Sequence, residues 1–229
     1  LGGLERAVAV HDALRSHLPE LAALAANAPF YEGGDSGLGS VRPELAGLLP
    51  RQGVPPALRS AAALAEAYAW GAAAGAFAPA QWWWELRLHP LHGTVEVRVP
   101  DTQATVADAA GIAAAVHALV TLLAERFDAG ELPPLAPGWR IEQNRWSACR
   151  HGLCGAMADL RGGGSEPTRA RVRALLDELS APAARAGCAV ELAHARALAE
   201  QGGAERQRAA AGDDGARAAA AWLAGRFLG

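Results

Sequence analysis

The chain has 229 residues, 51% of them hydrophobic, and a formal net charge of −3: enough to bury one core, with no basic stripe to hold nucleic acid. Its apolar stretches read as alanine-rich and too broken to span a bilayer. All 21 basic residues are arginine, which excludes P-loop and Schiff-base lysine chemistry and leaves arginine, backbone N–H groups or metal to hold any phosphate.

Leu4, Val8, His11, Leu14, Leu18, Leu21 and Leu24 recur at helical spacing and predict a helix over about 4–26, kinked or reopened at Pro19 and stopped by Asn27-Ala28-Pro29. Residues 31–42 (YEGGDSGLGSVR) read as a glycine-rich loop and 57–77 as an alanine-rich helix. The period then changes to two. Trp82, Trp84, Leu86 and Leu88 alternate with Trp83, Glu85 and Arg87; past His89-Pro90-Leu91-His92-Gly93, Val95, Val97 and Val99 alternate with Glu96 and Arg98. That pattern predicts an antiparallel hairpin. Thr105 caps a further helix, with Asp108 three residues on. A surface linker follows at 128–139, and short helices near 141–151, 167–180, 188–200 and 203–227 make 140–229 a helical part. The fold class is α+β, mostly helical, in a single domain over 1–229.

The parity of the hairpin is informative, because opposed residues have a constant index sum and share a face. An odd sum such as 183 sets Arg87 opposite Glu96, Glu85 opposite Arg98, Leu86 opposite Val97 and Trp84 opposite Val99. One face is then apolar, predicted to pack under helices, and the other carries two carboxylates and two guanidiniums. As an exposed outer face these pairs contribute about 0.2–1 kcal/mol each. The same side chains also suit a metal–phosphate site, where a carboxylate offers Mg²⁺ a hard oxygen and a guanidinium stabilises a phosphoryl group. In that case the charged face should look into a groove with Gly33–Arg42 at its rim.

Other residues carry less. Cys149, Cys154 and Cys188, odd in number and irregular in spacing, predict reduced thiols, a cytoplasmic location and no zinc site. His89-x-x-His92 has metal-like spacing but lacks a third ligand.

Four blocks in order resemble the type 2 glutamate–cysteine ligase, or bacterial carboxylate–amine ligase, family: ANAPFYEGGDSGLGSVR, WWWELRLHPLHGTVEVRVPD, IEQNRWSACRHGL and GGAERQR. The second resembles a family run W-W-D/E-I/V-R-P-H/S-P followed by G-T-V/L-E-V/I/F-R-x-x-D, with Leu88 in place of the proline after the arginine. The resemblance implies a glutamine-synthetase-like catalytic fold, with a curved antiparallel sheet backed by helices. It also implies an ADP-forming ligase that uses ATP and Mg²⁺ to join the γ-carboxylate of glutamate to an amine, typically that of cysteine. Carried over, Glu96 is a Mg²⁺ ligand, Arg98 and Arg87 are catalytic contacts to the phosphates, and Asn27, Ser40 and Arg42 bind substrate. Asn144, Arg145 and Arg150 are nucleotide candidates, with Arg206 and Arg208 behind them. The chain begins past the family's early G-x-E-x-E strand, so it reads as the C-terminal portion of a larger catalytic domain. One hairpin edge is then expected to be open, or covered by a homo-oligomer partner or a chain that supplies the missing strands. The competing reading is a non-catalytic relative that serves as a binding or assembly module.

Overall fold

The computed structural model describes residues 1–75, 81–89 and 92–227. The first predicted helix splits into α1 (Leu4–Leu14) and α2 (Leu18–Ala25), joined by a 3-10 turn over Arg15–His17. Pro19 sits in the first turn of α2, where its absent N–H costs nothing. The glycine-rich loop holds a small hairpin, β1 (Phe30–Tyr31) and β2 (Gly34–Asp35), and runs into α3 (Arg42–Ala46). In α4 (Ala61–Ala73) the Ser60 hydroxyl accepts from Ala63 N at 3.1 Å, a cap that starts the helix four residues later than periodicity predicts. The predicted end of this helix lies outside the described residues.

The charged hairpin is β3 (Leu86–His89) and β4 (Thr94–Val97), shorter than predicted, with part of its turn outside the described residues. Then come α5 (Val106–Asp128), α6 (Gly138–His151), β5 (Ala156–Ala158), β6 (Ser165–Pro167), α7 (Thr168–Glu178), α8 (Ser180–Arg185), α9 (Ala189–Glu200), α10 (Gly203–Ala211) and α11 (Ala216–Ala224). The β5–β6 hairpin was not predicted, because three-residue strands carry no readable alternation. Sheets are therefore small and antiparallel between helices, an α+β arrangement.

α5 is the centre of the core. Its Ile112, Ala115, Leu119 and Leu123 are buried among α1, α8 and α9. A side chain at Gly111 would come within 2.6 Å of Ala195 N, so this glycine permits the close approach of α9. α5 also corrects the membrane reading. It is 23 residues long and apolar enough, by length and composition, to cross a bilayer. One flank packs into the core, and Glu125 and Arg126 put charge on the helix's outer surface.

The register is the one parity demands: Leu86 pairs with Val97, Arg87 with Glu96 and Leu88 with Val95. Arg98 N donates to Glu85 O at 2.7 Å, so Glu96 and Arg98 turn their backbone groups toward β3. Val95 and Val97 turn theirs outward, and among the described residues no strand pairs with that edge of β4. Backbone amide exchange should separate the two sets, with Val95 and Val97 exchanging roughly tenfold or more faster than Glu96 and Arg98. Equal protection would mean that the outer edge is covered.

Candidate active site on the charged hairpin face

Glu96 is the centre of the charged face. Arg87 Nε donates to its Oε2 at 2.6 Å and Arg98 Nη1 to its Oε1 at 2.7 Å. Partial burial opposes ionisation here, but the hydrogen bonds from Arg87 and Arg98 prevail and hold the carboxyl below its ordinary value. Beside it, α6 reaches over the hairpin. Arg145 Nε donates to both oxygens of Glu85, at 2.8 and 2.9 Å, and Arg145 Nη1 donates to Glu142 at 3.5 Å. Burial pushes the Glu85 carboxyl above its usual range despite Arg145; the Arg145 guanidinium, against the same burial, is held firmly protonated by Glu85.

The face is thus neither uniformly exposed nor uniformly covered. Its floor, Glu85, Arg87 and Arg145, has side chains only 6%, 10% and 11% exposed. Its rim, Glu96, Arg98 and Arg42, is 32%, 37% and 40% exposed. The apolar face is divided too. Leu86, Leu88, Trp82 and Val99 are buried as predicted, but Val95 and Val97 are half-buried and line an open groove of about 810 Å³ against α5. The helices reach only part of that face.

Arg42 arrives from the start of α3. Its Nε donates to Asp101 Oδ1 at 2.6 Å and its Nη2 to Val99 O at 2.5 Å. Asp101, 7% exposed, also accepts Asn27 N at 2.8 Å through its other oxygen. Asn27 is correspondingly occupied: its Nδ2 donates to Thr102 O at 2.7 Å, while its two oxygens accept from Gln207 Nε2 at 2.6 and 2.7 Å. It latches α2 to α10, and the structure leaves little of it to meet a substrate. Ser40 is different. Its Oγ is buried with no hydrogen-bond partner, and so is Arg98 Nε. Buried side-chain atoms remote from this face, such as Thr168 Oγ1 and Gln103 Oε1, share this condition, so it does not by itself mark a ligand site.

The nucleotide candidates all have partners within the fold. Asn144 is 1% exposed, and its amide clamps Ala158, accepting from the backbone N and donating to the backbone O at 2.8 Å each. A buried side chain saturated in this way has no face for a ligand. Arg145 is spent on Glu85. Arg150 donates to Gly37 O at 3.1 Å and Arg208 to Asp35 at 2.6 and 2.8 Å, so both brace the glycine-rich loop. Arg206 donates to Asp108 at 2.8 Å. Cys149, whose thiol donates to Ser40 O at 2.9 Å, is pushed up to about 12 by burial and Glu44, too high for a nucleophile. Asp101 is the residue that sequence reasoning missed; its only signal was its place in the R-x-x-D pattern.

The brace on the loop is pH-dependent. The hydrogen bond from Arg208, then that from Gly37 N, lowers the Asp35 carboxyl from 3.8 to about 2. A depressed folded-state value means that the brace is intact above about pH 4 and is lost as pH falls through about 2. The Gly37 amide resonance should therefore titrate in that window, and Arg208→Ala should move its midpoint up toward 3.8.

Of the four arginines on the rim and floor, Arg145 is committed to Glu85, and Arg42, Arg87 and Arg98 suit anionic groups such as phosphates. Mg²⁺ fits less well. Among the described residues no group of three or more ligands could hold a metal, and Glu96 offers one carboxylate where that ion takes six oxygens.

The glutamate–cysteine ligase family 2 matches residues 3–217. A Rubrobacter xylanophilus protein named "Putative glutamate--cysteine ligase 2-3" is 36% identical over 215 residues, covering 93% of this chain and 57% of that protein. "Putative glutamate--cysteine ligase 2" of Thermobifida fusca is 35% identical over 207 residues, 90% of this chain and 52% of its own length. The chain spans about half the length of the curated relatives it matches.

Proposed function

The chain belongs to glutamate–cysteine ligase family 2, and from that premise we propose that it is part of an ATP- and Mg²⁺-dependent ligase domain with a glutamine-synthetase-like fold. The reaction joins the γ-carboxylate of glutamate to an amine, cysteine's by the family's name. A carboxylate oxygen attacks the γ-phosphorus and ADP leaves; the amine nitrogen then attacks the acyl carbon and phosphate leaves. The observation that carries this reading is the half-exposed rim of Arg42, Arg98 and Glu96 above a buried ionic floor.

In this scheme Arg98 and Arg87 stabilise charge on the phosphoryl group in flight, the main contribution an enzyme makes to such transfers. Arg42, aimed by Asp101, and Ser40 hold the amino-acid carboxylate. Glu96 fixes both arginines and offers Mg²⁺ one oxygen. Its other ligands would come from outside the described residues.

The test uses the longer protein that contains this chain, given glutamate, cysteine, ATP and Mg²⁺. ADP release that requires both amino acids supports the ligase; none with any amino acid and amine pair removes it. A second reading, a non-catalytic assembly module, is favoured by the incomplete metal site and by both Glu96 oxygens being tied to arginine. A parental reading frame without a strand of paired glutamates would favour that alternative.

A further inference from the structure

The free edge of β4 and the helix beside it form one surface. Val95 and Val97 turn their backbone N–H and C=O groups away from β3, and among the described residues nothing pairs with them. Pro100, which has no N–H, ends the run of donors. Beyond this edge the floor is α5. Val106, Ala109, Ala113, Val116 and Val120 recur at steps of three and four, so they share one face of the helix. All five line the open groove of about 810 Å³ together with Val95 and Val97. Val106 is 53% exposed, Ala109 and Ala113 are exposed, and Val116 and Val120 are half-buried.

An unpaired edge of this kind is a template for an extended segment, and the floor sets that segment's pattern. Side chains alternate along a strand. In a segment bonded to Val95 and Val97, one set drops onto the α5 stripe and the other lies beside Glu96 and Arg98 on the charged face. From Val106 to Val120 the stripe runs about 21 Å, the length of about six strand residues. About three apolar side chains, at every second position, therefore cover it, with polar residues between them.

Two sources offer such a strand. A second copy of this chain is disfavoured by its own charge. The register that uses the polar groups of both valines sets Val95 against Val97, which puts Glu96 directly opposite its counterpart. The longer polypeptide has the length to spare, because nearly half of the Rubrobacter and Thermobifida relatives lies outside the match. We propose that the groove between β4 and α5 is the docking site of a β-strand, apolar at alternate positions, from the part of the longer protein outside these 229 residues. This strand extends the β3–β4 sheet and covers α5. The assignment does not rest on the ligase reading, since a non-catalytic relative needs the same strand.

Amide exchange and photo-crosslinking of the purified longer protein test the proposal. Val95 and Val97 should be protected to within about threefold of Glu96 and Arg98. A short alkyl diazirine in place of the Ala113 side chain, at an exposed position, should crosslink within one polypeptide to a segment outside these residues. Ala113→Glu would set a carboxylate under the strand; it should speed exchange at Val95 and Val97 roughly tenfold and leave Glu96 and Arg98 unchanged. Exchange at the two valines tenfold faster than at Glu96 and Arg98 in the unsubstituted protein overturns the site. So does a crosslink into β4 or α5 of a second copy, or equal exchange in Ala113→Glu and its parent. Loss of ADP release moves none of these readouts, so the two readings fail separately.

Discussion

Glu96→Gln in the longer ligase should lower turnover by roughly two to three orders of magnitude while the fold survives. The carboxylate holds Arg87 and Arg98 with one oxygen each, so the amide can keep one of these hydrogen bonds and must turn its NH₂ toward the other guanidinium. The arginines then lose both their common anchor and the charge that balances them. A half-exposed polar exchange costs little stability, so unfolding should not account for the loss. ADP release under saturating glutamate and cysteine measures the effect, and a Mg²⁺ titration separates its origins. If Glu96 is also a metal ligand, the Mg²⁺ requirement should rise in the variant. If it only positions the arginines, turnover falls at an unchanged Mg²⁺ midpoint. Normal turnover at ordinary Mg²⁺ would take Glu96 out of the site.

The parts legible in the sequence were those that repeat. The heptad-like leucines of α1 and α2 and the Thr105 cap, whose hydroxyl accepts from Asp108 N at 3.0 Å, are local signals. So was the hairpin register, because a one-residue slip would have put Glu96 beside Leu86 on the apolar face. What alternation could not convey was depth. It sorts residues to faces but says nothing of what covers a face, so Glu85 and Arg98 looked equivalent. Only the chain fold brings Arg145, sixty residues later, over one of them. Likewise Asn144, carried over from the resemblance as a nucleotide candidate, has Ala158 as its partner in space, a contact no local pattern conveys. The site's supporting network, Asp101 to Arg42 and Asn27 and on to Gln207, joins segments far apart in the chain and leaves no periodic trace.

That depth makes Glu85→Ala the substitution with the largest expected effect on stability, a loss of about 3–5 kcal/mol. The ion pair is not a simple gain. Burial raises the Glu85 carboxyl above its ordinary value even with Arg145 in contact, so holding Glu85 ionised in the folded chain carries a net cost. Removing it is nevertheless worse, because Arg145, 11% exposed, keeps a buried charge with only Glu142 at 3.5 Å to meet it. A neutral isostere should therefore do less harm than truncation, with Glu85→Gln retaining the shape and one acceptor for the guanidinium. Removing both charges should recover more still: Glu85→Leu combined with Arg145→Met replaces the pair with apolar volume and should lie closer to the parent than Glu85→Ala does. Urea unfolding of the four proteins measures the series. A Glu85→Ala variant within about 1 kcal/mol of the parent would mean that Arg145 finds water or Glu142 at little cost. The buried floor of the charged face would then be a feature of packing alone, without ionic coupling between α6 and the hairpin.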